Sequence, residues 1–423
     1  MNHYQLIVVG GGLAGVAAAV SAAREGLQVL LVEKSGCLGG ALSNNLVYPF
    51  TKYWTRDPKD DHQQYLSAGL FAEMRQREAA LLEQYKEAAS KTEYHFKPEY
   101  FKLLLDDMVT EAGVDVLFHA QLFAAKAAGN KVQEISVATV SGAETYTADR
   151  FIDATGNGDL FALAGCDYQT GRERDGLCQP MTTCFRMSNV DLNQFQEDIG
   201  RLQKLYKQQQ ADGILTNPRE NLLYFDGIGE KILHFNTTRV IKEDSSDPKQ
   251  ISRAEMTARK QVHETVKFLK ENSSAFDHST LISMANEIGV RESRKLKGMY
   301  ILTQEDLKNM TDFEDSIALG NYDIDIHSPD GSGTSHYYFK KGEYYKIPYR
   351  CLVPKEYTNL LVAGRCISVT HEAQASIRIM AICACLGEAA GMAAAESYRS
   401  GVSVQNVDIK AVQEKLIANG ALL

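Results

Sequence analysis

The chain has 423 residues, 44% of them hydrophobic, and a formal net charge of −9, so it can bury a large core and is expected to form about two domains. The acidic balance excludes a nucleic-acid-tracking surface, because the one basic cluster, Arg291, Arg294, Lys295 and Lys297, is too short to follow phosphates. No apolar run reaches the length of a bilayer span and no signal peptide precedes the first strand, which makes a cytoplasmic protein with a small-molecule substrate, and no membrane or nucleic-acid partner, the expectation. Oligomeric state is not legible.

The first element is the apolar strand Leu6-Ile7-Val8-Val9. It runs into Gly10-Gly11-Gly12-Leu13-Ala14-Gly15 and then an alanine-rich helix from Val16 to Arg24, closed by Gly26. Gly10 permits the tight turn, Gly12 lets the backbone approach a pyrophosphate, and Gly15 lets the helix pack close to the strand. The helix N-terminus adds free N–H groups and a positive dipole end. A second strand, Val29 to Val32, delivers Glu33, whose carboxylate can accept from both hydroxyls of a ribose, and is followed by Lys34. This is the pattern of a dinucleotide cradle; nothing in this unit alone separates FAD from NAD.

Beyond the Cys37-Leu38-Gly39-Gly40 turn lies a peripheral insertion at about 52–97. Its charged middle, Ser67 to Ser90, reads as a helix with a partial apolar stripe at Leu70, Met74, Leu81, Leu82 and Tyr85. Pro98 opens a helix to Glu111, Gly113 ends it, and Val114 to Phe118 is the next strand. Alternating runs Lys131 to Val140 and Glu144 to Ala148, around Ser141-Gly142, read as a hairpin. Arg150-Phe151-Ile152-Asp153-Ala154-Thr155-Gly156 then repeats the motif of a strand followed by a small-residue turn. Residues 175–345 differ in texture, with few alanines, charged helices Leu192 to Ala211 and Ser252 to Asn272, and turns such as Ser328-Pro329-Asp330-Gly331. The motif returns a third time in Asn359 to Arg365. A small-residue helix follows, carrying Ala373, Ala375, Ser376, Gly387, Ala389, Ala390 and Gly391, and is read as a second backbone surface open to a ligand.

Three such turns spread along the chain suit a long, two-headed cofactor. The sequence resembles the flavin-dependent oxidoreductases of the glutathione-reductase-like superfamily. More narrowly it is similar to the FAD-dependent oxidoreductase family, through Cys37-Leu38-Gly39-Gly40, Ile347-Pro348-Tyr349-Arg350 and Val362-Ala363-Gly364-Arg365-Cys366-Ile367-Ser368, from residue 4 to about residue 396. The resemblance implies an α/β fold: a Rossmann-like FAD-binding domain, with a parallel sheet, helices and a small antiparallel sheet, interleaved with a second α+β substrate domain. The expected division is 1–174 and 346–423 for the first and 175–345 for the second. It also implies FAD, with the pyrophosphate on the N-terminal turn, Glu33 at a ribose and the C-terminal strand and helix at the flavin end. The expected cofactor residues are Gly10, Gly12, Leu13, Ala14, Gly15, Glu33, Lys34, Gly39, Gly40, Ala41, Leu122, Ala154, Thr155, Gly156, Gly364, Arg365, Ser376 and Ile377.

The implied activity is transfer of a hydride equivalent between flavin N5 and a small polar substrate. An FAD-containing electron-transfer subunit and an NAD-dependent oxidoreductase are the alternatives. No second glycine fingerprint follows a strand, so a dedicated nicotinamide domain is not expected, and no iron-sulfur cysteine spacing is present. Catalytic candidates come from segments that return to the cofactor. His371 can move a proton near neutral pH, Arg350 can clamp a carboxylate or stabilise an enolate, and Arg291 or Arg294 can reach substrate. Each has a structural reading as an anchored core or surface charge. Arg378 can face the flavin or the domain junction. The eight cysteines show no Cys-x-x-Cys spacing, so no metal site is expected and the thiols read as small buried hydrophobes. The segment Ala41 to Asn45 holds no His, Cys or Tyr, which points to noncovalent FAD.

Overall fold

The computed structural model describes residues 3–90 and 92–423, and every candidate residue named above lies among them. It is a mixed α/β structure built on a seven-stranded sheet. Its order is Asp115–Leu117, Val29–Val32, His3–Val9, Gly142–Asp153, Lys131–Thr139, Gln121–Ala128, with Leu360–Val362 also pairing to Gly142–Asp153. The parallel strands are continuous apolar runs because both faces are covered: Leu6 to Val9, Val29 to Val32 and Leu360 to Val362 are all buried.

Register is what makes the site. Val9 lies opposite Val32 on one side and Asp153 on the other, and Val362 lies opposite Asp153. The strands therefore end in one row. Gly10, Glu33, Ala154 and Ala363–Gly364 emerge together at the carboxyl edge, where ligands bind in open α/β sheets.

Two expectations change here. The hairpin and the strand at Arg150 are one element: Gly142–Asp153 pairs antiparallel with Lys131–Thr139 through its first half and parallel with His3–Val9 through its second, from Thr147 to Asp153. Arg150 does not interrupt it, because its guanidinium is satisfied by Ser397 Oγ and by the carbonyls of Asp149, Ser397 and Val402. The small-residue helix is two helices, His371–Ile377 and Met380–Ser400, bent by 94° where Ile379 adopts extended backbone. Its glycines face protein rather than ligand. A Cβ on Gly387 would sit 2.0 Å from Ala14 O, and one on Gly391 2.3 Å from Ala18 O, so both let this helix lie directly against Leu13–Arg24.

The insertion helix is Leu70–Gln84, shorter than read, with Leu70, Phe71, Met74 and Leu82 buried; Pro98–Glu111 matches its expected span. A second core surrounds a four-stranded antiparallel sheet, ordered Tyr224–Phe225, Leu233–Phe235, Phe185–Ser188, Thr280–Met284. Leu192–Ala211 and Pro248–Asn272 pack on it through Phe195, Leu202, Tyr206, Val262 and Phe268. Asp191 and Asp247 cap these helices by accepting two backbone N–H groups each, and the Asp247-Pro248 start explains why the second helix begins before Ser252. Leu296, Leu302, Ile317, Ile324 and Tyr345 pack instead into the core of the large sheet, so the 175–345 span is divided between two cores. Among the described residues no single helix is long and apolar enough to cross a membrane.

Candidate functional site

A cavity of about 320 Å3 runs along the carboxyl edge of the sheet. Gly10 (φ +104°) turns the chain away from the first strand, and a Cβ there would strike Ala154 O at 2.4 Å, so only glycine fits. Gly15 is as constrained, since its Cβ would meet Gly10 O at 1.7 Å, but it sits behind the turn and not on the cavity wall. Gly12 differs: a Cβ there would meet no protein atom within 4 Å, and Gly12 lines the cavity. Its bare backbone, at the N-terminus of Leu13–Arg24, is the surface a pyrophosphate requires.

Glu33 lies at the next strand end, 6% exposed. Its Oε2 accepts from Gly11 N at 2.6 Å, and its Oε1 from Ser35 N at 2.8 Å and Ser35 Oγ at 2.7 Å. The carboxylate thus shapes both turns while lining the cavity. Lys34 Nζ pairs with Glu287 at 2.8 Å, and Asn45 Nδ2 donates to the carbonyls of Glu287 and Ile288, which ties the Gly39–Asn45 turn to a small cluster of Ile288, Met181, Val240, Ala254 and Ala258. Ile251, Glu255, Ile288 and Val290 complete that wall. At the third strand end Asp153 accepts from Thr155 N, Thr155 Oγ1 and Phe161 N, and burial pushes its carboxyl up to about 6.

Of the expected cofactor residues, Gly10, Gly12, Leu13, Ala14, Glu33, Lys34, Gly39, Gly40, Ala41, Ala154, Thr155, Gly156, Gly364 and Arg365 line this one cavity. Leu122 and Ile377 are buried in the core, and Ser376 Oγ lies 2.7 Å from Tyr345 Oη and donates to Tyr322 O, so these three stand off the wall. The wall includes Asn157, Arg378, Met380 and Cys383, none of which the motifs singled out for the cofactor. Asn157 lies one residue past the third turn, and its Oδ1 accepts from Arg365 at 2.6 Å.

The cavity shares Ala41, Asn45, Val290, Arg365, Arg378 and Met380 with an inner chamber of about 130 Å3. Thr182, Cys184, Asn236, Arg291 and Tyr322 form its polar lining. Arg291 Nη1 donates to Pro180 O and Thr182 Oγ1, each at 2.6 Å. Tyr322 donates to Asp325 at 3.0 Å, and burial beside that carboxylate raises its pKa, so it keeps its proton. The helix break places Arg378 here. A charged residue inside a run of small ones was the available signal, and the bend that aims it was not.

The other catalytic candidates are placed elsewhere. His371 lies on a separate depression with Thr370, Glu372 and Arg172, and its Nδ1 is 2.7 Å from Glu292. Glu292 is buried, also bound by Lys295 Nζ and Gln179 N; burial pushes its carboxyl up, and the adjacent His371 and the Lys295 charge outweigh that and hold it below its usual range. Arg350 is a surface residue: it forks onto Asp315 at 2.9 and 3.1 Å and lies over the Tyr300 ring. Arg294 pairs with Asp159 at 2.9 Å and donates to Asn157 O, so it braces the third turn from outside. Among the described residues no group of three or more His, Cys, Asp or Glu is arranged to hold a metal.

A family model described as FAD dependent oxidoreductase matches residues 5–416. No curated protein matches the sequence. Among solved structures, a geranylgeranyl bacteriochlorophyll reductase-like protein from Thermoplasma acidophilum aligns at TM-score 0.49 and 14% identity over 100% of this chain and 84% of its own. The p-nitrophenol 4-monooxygenase PnpA of Pseudomonas putida DLL-E4 aligns at 0.47 and 10%, over 98% and 84%. A flavoprotein/dehydrogenase from Cytophaga hutchinsonii aligns at 0.46 and 13%, again over 98% and 84%.

Proposed function

The chain belongs to the FAD-dependent oxidoreductase family, and from that premise we propose that it transfers a hydride equivalent to or from a small polar substrate held in the inner chamber. FAD as the cofactor argues against a nicotinamide bound in its place. The carrying observation is the common row of strand ends, which sets three glycine turns along one cavity that continues into a smaller chamber with polar side chains. This favours a substrate enzyme over an electron-relay subunit.

The residues present fit the group. Gly12 and the Leu13–Arg24 N-terminus would hold the pyrophosphate, and Glu33 the ribose. Gly364, Arg365 and Met380 would border the flavin. Arg365 Nε is buried with no protein partner, a donor left for the cofactor. When bound, FAD supplies the two-electron centre. The rest is the work of the chain. Met380–Ser400 has no side-chain cap and presents Met380 and Cys383 to the cavity, so its positive end favours negative charge there by about 0.3–1 kcal/mol. Tyr322 holds a proton at Oη beside the chamber, and Asp325 orients that hydroxyl. His371 acts at a distance, by fixing Glu292 and with it the Gln179 backbone. Arg350 anchors the start of the last cofactor segment.

The reading extends to a glutathione-reductase-like arrangement in which the cofactor unit is interrupted by the second core, and to noncovalent FAD. The test is anaerobic: purified protein is screened for compounds that bleach or restore its flavin absorbance, then acid-precipitated. A compound that changes the redox state with yellow supernatant supports the reading; colour fixed in the pellet refutes noncovalent attachment. Flavin that answers only to a protein partner would favour the relay alternative.

A further inference from the structure

The chamber carries more cations than counter-charges. Arg291, Arg365 and Arg378 all line it, and no Asp or Glu does. The nearest carboxylate recorded against any of the three is Asp325, 3.6 Å from Arg378 Nη2. That carboxylate is already shared: it accepts from Tyr322 at 3.0 Å and lies 3.2 Å from His327 Nε2, with His336 Nε2 at 3.7 Å. Arg291 has only neutral partners, Pro180 O and Thr182 Oγ1. Arg378 Nε is buried without a partner.

Cations taken from water and left unpaired cost several kcal/mol, and like charges side by side add to that. Burial and the neighbouring charges of Arg378 and Arg219 push Arg291 down to about 9, and the one carboxylate that acts the other way, Asp325, only partly compensates them. Arg365 lies on both cavities and is accounted for by the cofactor. Arg291 lines the chamber alone, and Arg378 stands at the junction.

We propose that the substrate carries a carboxylate, received in this chamber by Arg291 and Arg378, with Thr182 and Asn236 as polar contacts beside it. This rests on the reading of the cavity as the FAD site and deepens it by naming the substrate class. A carboxylate supplies the missing counter-charge and matches the planar fork of a guanidinium with two parallel hydrogen bonds. The apolar side chains of Val47, Ile379 and Met380 and the small volume leave room for a short carbon chain.

The test uses the FAD-loaded enzyme. Acetate, glycolate and succinate are titrated beside acetamide, glycolamide, succinamide and inorganic phosphate, with flavin absorbance and calorimetric heat as readouts. The expected result is saturable binding of at least one carboxylate, with its amide counterpart weaker by tenfold or more. Arg291→Gln, at unchanged FAD content, and Arg378→Gln, measured on its FAD-loaded fraction, should each weaken that carboxylate tenfold or more. Arg291→Lys and Arg378→Lys, which keep the charge and lose the fork, should fall between, and they serve where a Gln variant fails to fold. Equal binding of acid and amide, phosphate binding tighter than every carboxylate, no binding by any carboxylate, or wild-type affinity in the variants overturns the inference. Protein that takes up no FAD overturns the reading of the cavity itself, a distinct failure seen before any titration begins.

Discussion

Gly12 and Gly15 occupy one turn and should fail in opposite ways when replaced by alanine. At Gly12 the backbone is φ −67°, ψ 176°, extended conformation open to any residue, and the new methyl would meet no protein atom within 4 Å. The apoprotein should therefore tolerate Gly12→Ala, or gain about 0.4–1 kcal/mol from a less flexible unfolded chain. The methyl instead enters the cavity, on the surface assigned to the pyrophosphate. Losing even one charge-assisted hydrogen bond there, at about 1.5–3 kcal/mol, weakens FAD by roughly ten- to 150-fold. At Gly15 the methyl would lie 1.7 Å from Gly10 O and 3.3 Å from Ala154 Cβ, so the helix must move off the strand. Overpacking of this kind costs about 1–3 kcal/mol, and more where backbone must shift. Thermal unfolding of the two apoproteins, with FAD affinity from fluorescence quenching, separates the effects. The reasoning is refuted if Gly12→Ala destabilises the apoprotein as much as Gly15→Ala, or if it binds FAD like wild type.

Glu33→Ala should weaken FAD by about 1–3 kcal/mol and loosen the turns at Gly11 and Ser35, whose N–H groups it accepts; unchanged affinity measured by equilibrium dialysis would assign the ribose elsewhere. His371→Ala should destabilise the fold by about 1–3 kcal/mol, because buried Glu292 loses one of its partners, while FAD content stays at one per chain. A hundredfold fall in the rate of flavin reduction, measured by stopped flow, would return the histidine to the chemistry. Arg350→Ala removes an exposed pair with Asp315 and should cost no more than about 1 kcal/mol in denaturant unfolding, leaving turnover intact. Burial raises the Glu388 carboxyl to about 7, and it accepts from Leu70 N. The folded pKa exceeds the unfolded value, so its stabilisation is complete below the unfolded pKa and fades as pH rises through about 7. The advantage of Glu388→Gln over wild type should grow between about pH 5 and pH 8, by up to about 3 kcal/mol, and a pH-independent difference in unfolding temperature would refute it.

The cofactor edge was legible because its physics is local. A strand ending in glycine, or delivering a carboxylate, announces itself within ten residues, and parallel pairing places such ends in one row whatever lies between. Leu122 and Ile377 mark the limit: proximity in sequence to a cofactor segment does not say which side chains turn outward. The chamber was only partly legible, for a different reason. Thr182, Asn236, Arg291, Tyr322 and Arg378 come from five separate segments; Arg291 and Arg378 stood out as charges able to reach the site, whereas Thr182, Asn236 and Tyr322 are unremarkable beside their sequence neighbours. His371 and Arg350 were drawn toward the flavin by position alone, and both found carboxylate partners, Glu292 and Asp315, that no spacing rule connects to them. The helix break at Arg378–Ile379 was hidden because the residues around it, Ile377, Ile379 and Met380 among them, are equally at home in a straight helix. The domain span 175–345 followed a change of texture, whereas the cores divide by packing, which draws Leu296 to Tyr345 toward the large sheet.

The most direct measurement is a crystal structure of the protein reconstituted with FAD. The account predicts one cofactor along the carboxyl edge of the sheet, its pyrophosphate on the Gly12 backbone, its ribose on Glu33, and its ring between Gly364, Arg365 and Met380 at the mouth of the arginine-lined chamber. A flavin bound in the reverse direction, with adenine at Met380, or outside this cavity altogether, would contradict it.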